Sequence, residues 1–118
     1  MKWIIGLLIV CSSLFSDITM VASDGDTLKA NVSSEASRCS YYIFLDSEGK
    51  VLEIVQNPHK DVRGGASSKL LAILKEKKVS HMIASNFGDK LIGHLESNHI
   101  KYTVHKGDIN SAIQSLKK

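Results

Sequence analysis

The sequence predicts an α/β domain: a mixed five-stranded sheet flanked by helices, in the order β-β-β-α-β-α-β-α. Three observations carry this. The first half of the chain holds three short runs rich in β-branched, aromatic and other large apolar residues. The second half alternates such runs with stretches whose apolar residues recur at helical spacing. The junctions carry glycine, asparagine or aspartate, the residues that turn a chain. At 118 residues and 43% apolar, the chain has enough material for one domain with a real core.

Taken in order, Met1 to Ser16 stands apart as a targeting segment. Lys2 is its only charge, and Trp3 to Cys11 is apolar apart from Gly6 before the run fades through Ser12, Ser13 and Ser16. A short positive start, an apolar middle and small residues at the end describe a secretory signal. The run is short beside the ~20 residues of a membrane span. An uncleaved anchor is the alternative, so the protein is expected to be exported or periplasmic if the segment is a true signal, and otherwise anchored or cytoplasmic. The domain proper is 17–118.

Asp17 to Ser23 reads as a buried strand that ends in the turn Asp24-Gly25-Asp26. Leu28 to Arg38 is a polar connection. Cys39 to Asp46 is the second strand, Ser47-Glu48-Gly49-Lys50 a hairpin turn, and Val51 to Gln56 the third strand, antiparallel to the second. After Gly65 the spacing turns helical, with Ala66, Leu70, Leu71 and Leu74 on one face and Lys69, Lys75, Glu76 and Lys77 away from it. Val79 to Ser85 is a strand, and Asn86-Phe87-Gly88 a sharp strand-to-helix connection. Asp89 to Asn98 is a helix with Leu91, Ile92 and Leu95 inward, and Ile100 to His105 a fifth strand. Asp108 caps a last helix through Leu116, with Ile109, Ala112 and Ile113 inward. Strand–helix alternation demands parallel strands with right-handed crossovers, so the second half is parallel and the first a meander.

Composition excludes several functions. A net charge of +3, with lysines and acids interleaved, is no nucleic-acid footprint, since no basic stripe alternates with aromatics. With two cysteines, Cys11 and Cys39, the chain is no disulfide scaffold, and neither Cys-x-x-Cys nor His-x-x-x-His spacing is present for a closed zinc site. Nucleophile-elbow and phosphate-loop signatures are absent, so no enzyme is indicated. Asp24, Asp46 and Asp61 invite comparison with a metal-dependent nuclease, whose paired ions, ~4 Å apart, need several carboxylates gathered around them; their spacing does not support it.

The stretch Asn57 to Ser68 is the most suggestive for binding. It holds the single proline, Pro58, and Gly64 and Gly65 remove side chains where the backbone enters a helix. Free N–H groups at the positive end of a helix hold anions, and Arg63 and His59 are near in sequence. A plain surface loop with a glycine helix start is the other reading. In open α/β sheets ligands favour the carboxyl ends of strands, where three loops are expected to gather: Ser23-Asp24-Gly25, Arg63-Gly64-Gly65 and Ser85-Asn86-Phe87-Gly88.

Six motifs follow one another in order: Val21-Ala22-Ser23-Asp24-Gly25, Val32-Ser33, Arg38-Cys39-Ser40-Tyr41-Tyr42, Asn57-Pro58, Arg63-Gly64-Gly65-Ala66 and Ile83-Ala84-Ser85-Asn86-Phe87-Gly88. In these motifs and their spacing the chain resembles the dinitrogenase iron–molybdenum cofactor biosynthesis family, the NifX-like carriers and their small single-domain relatives, over Asp17 to Lys118. The resemblance implies a ribonuclease H-like fold and a non-catalytic carrier or scaffold for an iron–sulfur or molybdenum-containing cluster or its precursor. The partners implied are that cluster and cofactor-assembly proteins, with no nucleic acid and no membrane beyond the N-terminal segment. The cofactor is expected against Asp24, Arg38, Cys39, Arg63, Gly64, Gly65, Asn86, Phe87 and Gly88, with Cys39, His59 and Glu35 as metal donors and Arg38 lowering the Cys39 pKa. The chain departs from the family at Glu35-Ala36-Ser37, where relatives carry His-Phe-Gly or Arg-Phe-Gly. A carboxylate is a harder donor than imidazole. The alternative function is therefore an exported small-anion-binding or protein-interaction domain without cluster chemistry.

Overall fold

The computed structural model describes residues 17–116; the signal or anchor expected at residues 1–16 lies outside them. The elements are β1 (Thr19–Ser23), β2 (Tyr41–Leu45), β3 (Val51–Gln56), α1 (Ala66–Glu76), β4 (His81–Ala84), α2 (Asp89–Ser97), β5 (Lys101–Val104) and α3 (Ile109–Leu116). One five-stranded sheet has the order β3-β2-β1-β4-β5. β1–β2 and β2–β3 pair antiparallel, β1–β4 and β4–β5 parallel. The meander and the parallel half predicted from the sequence therefore join at β1.

Period-two alternation sorts the strand residues onto two faces. Met20, Ala22, Tyr42, Phe44, Met82 and Ala84 pack with Leu70 and Leu74 of α1 and Leu91 and Leu95 of α2. Val21, Ile43, Leu45 and Ile83 pack with Ile109, Ala112 and Ile113 of α3. Helices thus cover both faces, which is why β1 is buried along its whole length. Each buried leucine contributes roughly 1.5–3 kcal/mol by leaving water. Among the described residues, no helix is long and apolar enough to cross a membrane.

Two expectations need correction. The second strand starts at Tyr41, not Cys39. The carbonyls of Ser37 and Cys39 accept the Asn57 side-chain amide instead of joining the ladder. The connection read as polar is also partly core, with Val32, Ser33 and Ala36 no more than 5% exposed. The Ser33 N–H donates to the Ala22 carbonyl and the Ser33 carbonyl accepts from Ser85 (2.8 and 2.9 Å). β1 and β4 pair only as far as Val21 and Ile83, and beyond that point Ser33 is inserted between the two strand ends. That insertion puts residues 34–38 at the carboxyl edge of the parallel strands, beside the starts of α1 and α2.

Candidate functional site

Two contiguous grooves open at this edge. One, of about 200 Å³, lies between residues 34–38 and Asn86, Phe87 and Gly88. The other, of about 340 Å³, lies between Ser37 and Arg38, the start of α1 (Gly65, Ala66, Ser67) and the start of α2 (Gly88, Asp89, Lys90). They share Ser37, Arg38, Phe87 and Gly88. Phe87 is buried and meets Tyr102 edge-on at 5.3 Å between ring centres.

Both helices that open into the larger groove start on glycine. Gly65 has φ 70°, ψ 19° and Gly88 φ 79°, ψ 150°, and neither start has a side-chain cap. Positive φ is what glycine allows and other residues resist. The first amides of α1 and α2 with a helix-type carbonyl partner from before the helix are those of Lys69, to Gly65 (3.0 Å), and Ile92, to Gly88 (3.1 Å). Two positive helix ends, each equivalent to roughly half a charge, therefore meet in one hollow with Lys90 and Arg38 on its wall.

Arg38 is half-buried, and its guanidinium donates to the Val62 carbonyl. A neutral acceptor leaves the cation's charge uncompensated, and a guanidinium has five N–H donors to offer.

Cys39 behaves otherwise than expected. It is 3% exposed, and its thiol donates to the Tyr41 carbonyl at 3.2 Å. Burial pushes the thiol from 9.0 up to about 11, outweighing hydrogen bonds from the Ser23 backbone and Tyr42 that lower it. Desolvation, not Arg38, decides its ionisation, and at neutral pH it is a protonated thiol behind the 34–38 segment. The neighbouring Tyr42 hydroxyl, also raised by burial, donates to the Ala36 carbonyl (2.8 Å).

Of the other expected site residues, Gly65, Asn86, Phe87, Gly88, Glu35 and Arg38 do line the grooves. Asp24, Arg63, Gly64 and His59 are not among the lining residues. Asp24 is drawn into the turn after β1, where its N–H meets the Asn31 carbonyl at 3.0 Å. The His59 N–H closes a turn onto Asn57 Oδ1 at 2.9 Å. Among the described residues, no three His, Cys, Asp or Glu side chains come together to hold a metal ion, so Cys39, His59 and Glu35 do not form a ligand set. The nuclease comparison finds no support in the topology: Asp24 follows the end of β1, while Asp46 follows Leu45, which pairs with Thr19 at the beginning of β1.

A hollow of about 370 Å³ lies at the opposite end of the sheet, lined by Asp17, Asp46, His81 and Lys101 among others. The His81 imidazole there is pushed to lower pKa by burial and by Lys101, against Asp17, and bonds Thr103 Oγ1 at 2.7 Å. None of the motifs that carry the resemblance reaches it.

The sequence reading missed Lys90 as a wall residue and Asn57 as the tie between the Ser37–Ser40 segment and the next loop; Ala66 and Ser67 fall within the Asn57–Ser68 stretch it singled out. The signal for Asn57 was the Asn-Pro pair directly after a strand.

Comparison with known proteins bears on this groove. No match was found among curated proteins. The solved NMR structure of the Thermotoga protein TM1290, named for NifB and placed in the DUF35 family, is 31% identical, with 84% of this chain and 85% of that chain covered and a TM-score of 0.69. The crystal structure of PH0822 is 23% identical (85% and 89% covered, TM-score 0.70), and the apo form of the orange protein from Desulfovibrio gigas is 19% identical (83% and 84% covered, TM-score 0.75); both share the fold. The family model described as "Dinitrogenase iron-molybdenum cofactor" matches residues 17–118. With that match over the whole domain, the chain belongs to the dinitrogenase iron-molybdenum cofactor family, among its NifX-like members.

Proposed function

We propose that the protein is a non-catalytic carrier that holds an anionic iron- or molybdenum-containing metal–sulfur cluster, or its precursor, in the paired grooves. The observation that carries this reading is the meeting of two uncapped, glycine-started helices beside Arg38. Backbone N–H groups at positive helix ends, a guanidinium and an ammonium suit sulfide or oxo groups that bear negative charge. Family membership supplies the class of cargo. In this reading Arg38 and Lys90 balance charge, the amides after Gly65 and Gly88 hydrogen-bond the cluster, and Cys39 is a packing residue. The strand order is read as ribonuclease H-like, cofactor-assembly proteins are the expected donors and acceptors of the cargo, and residues 1–16 as an export or anchoring segment.

Anaerobic reconstitution with iron, molybdate and sulfide, followed by elemental analysis, tests the proposal. Bound metal that survives Cys39→Ala and is reduced in Arg38→Gln is expected. Protein that retains no metal overturns it.

A second reading, a small-anion-binding domain without cluster chemistry, rests on the lack of a soft donor among the described residues of the groove, where Glu35 offers only a hard carboxylate and the Cys39 thiol is buried and protonated. Calorimetry with phosphate, molybdate and tungstate separates the two: a colourless protein that binds these anions, and takes up no iron or sulfide, supports the second. N-terminal sequencing of protein from its own host decides the fate of residues 1–16.

A further inference from the structure

We propose that Asn57 is the positioning residue of the groove, acting through Arg38; this rests on the carrier reading above. Asn57 follows β3 directly and is 5% exposed. It is not a lining residue of either groove. Its Nδ2 donates to the Ser37 carbonyl at 3.2 Å and the Cys39 carbonyl at 2.9 Å, and its backbone N–H to the Ser40 carbonyl at 2.9 Å. One amide group therefore holds the chain on both sides of Arg38.

The far end of Arg38 is fixed by the same stretch. Asn57 Oδ1 accepts the His59 N–H at 2.9 Å and so starts the loop that contains Val62, whose carbonyl receives the Arg38 guanidinium. The backbone and the tip of Arg38 are thus both set by residues 57–62. The cation is held at the shared part of the two grooves, and among the described residues no carboxylate pairs with it, although Glu35 and Asp89 line the same grooves.

The donor pattern selects asparagine. Two N–H donors and one acceptor on a short side chain meet two carbonyls and one N–H. Aspartate would turn an oxygen toward two carbonyl oxygens. Serine keeps an acceptor for the His59 N–H, as in related turns, but does not span to Ser37 and Cys39.

The test is a double-mutant cycle at pH 8 with tetrathiomolybdate as the probe, affinity being measured by calorimetry. Asn57→Asp and Asn57→Ser are expected to weaken binding about tenfold beside Arg38, and by no more than about twofold in the Arg38→Gln background. Equal losses in both backgrounds, or no loss, overturn the proposal. If Asn57→Asp does not fold, the milder Asn57→Ser carries the cycle. The Arg38 Nη1–H resonance, from the group that donates to the Val62 carbonyl, supplies a readout that needs no ligand. It is expected to be dispersed and protected in the ligand-free wild type and to move to the position of a free arginine in Asn57→Ser; an unchanged resonance overturns the proposal. Wild type that fails to bind tetrathiomolybdate counts against the carrier reading, and the resonance then decides the role of Asn57 separately.

Discussion

The start of α3 and the starts of α1 and α2 solve the same problem in opposite ways. Every helix leaves its first amides without partners inside the helix. At α3 they are satisfied by the fold: Ile109 donates to the Ala30 carbonyl (2.9 Å), Asn110 to Leu28 (3.0 Å), Ser111 to Asp108 Oδ1 (2.8 Å) and Ala112 to the Asp108 carbonyl (3.2 Å). At α1 and α2 a glycine takes the cap position and brings no side chain to the amides. The difference teaches that the uncapped pair is a matter of sequence choice at two positions. The same chain knows how to close a helix start, and it leaves open the two that border one groove.

Arg38→Gln is the change expected to act most strongly on that contrast. Removing the one guanidinium shared by both grooves deletes charge-assisted hydrogen bonds worth roughly 1.5–3 kcal/mol, about ten- to a hundredfold in affinity for an anionic cargo. Melting temperature should change little, because the bond lost inside the protein is a single one to the Val62 carbonyl. Calorimetry that finds unaltered affinity would remove Arg38 from the site.

Gly88→Ala comes next. A Cβ there meets nothing within 4 Å, so the cost is backbone strain alone, at φ +79°. Residues forced into such regions cost about 1–3 kcal/mol, and urea unfolding should register about 2 kcal/mol. A neutral substitution would show that the start of α2 relaxes out of this conformation.

The Cys39 thiol gives the third effect. Its pKa is raised from 9.0 to about 11 in the folded state. The unfolded chain therefore loses its proton first, and stability is complete below pH 9 and falls as pH rises toward 11. The slope from this group approaches ~1.4 kcal/mol per pH unit. Unfolding midpoints measured across that window should decline less steeply in Cys39→Ala. Equal slopes would mean that the thiol ionises freely, as a ligand would.

Asp108→Ala is expected to have the smallest effect, and it sharpens the comparison most. Loss of the α3 cap should cost about 1 kcal/mol of stability and leave anion affinity untouched. A change in affinity would show that α3 also serves the site.

Much of this was legible in the chain. The runs Asp17–Ser23 and Cys39–Asp46 were readable as strands from their apolar and β-branched content, although which residue went to which face was not. The helix stripes at Leu70/Leu74 and Leu91/Leu95, and the Asp108 cap, were equally plain. Residues governed by distant partners were not legible. Ser33 is buried because β1 and β4 part beyond Val21 and Ile83, a consequence of the pairing register. Cys39 read equally as a ligand beside Arg38 or as a small buried residue, and three-dimensional burial, which also sets its pKa, decides for the second. Arg63 stands close in sequence to Gly65, and Asp24 directly follows β1, yet neither lines a groove. That the Gly65 and Gly88 loops gather at one sheet edge was expected from the strand–helix alternation; that both helices start there without a side-chain cap was not.

The central claim is that the open amides of α1 and α2, with Arg38, hold the cargo and those of α3 do not. Titrating ¹⁵N-labelled protein with tetrathiomolybdate and following the amide resonances tests it directly. Shifts concentrated at Ala66, Ser67, Asp89, Lys90 and the Arg38 side chain, with Ile109, Asn110 and Ser111 unmoved, are the predicted result. Shifts centred on Ile109–Ser111 or on His59, or no shifts anywhere, would contradict it.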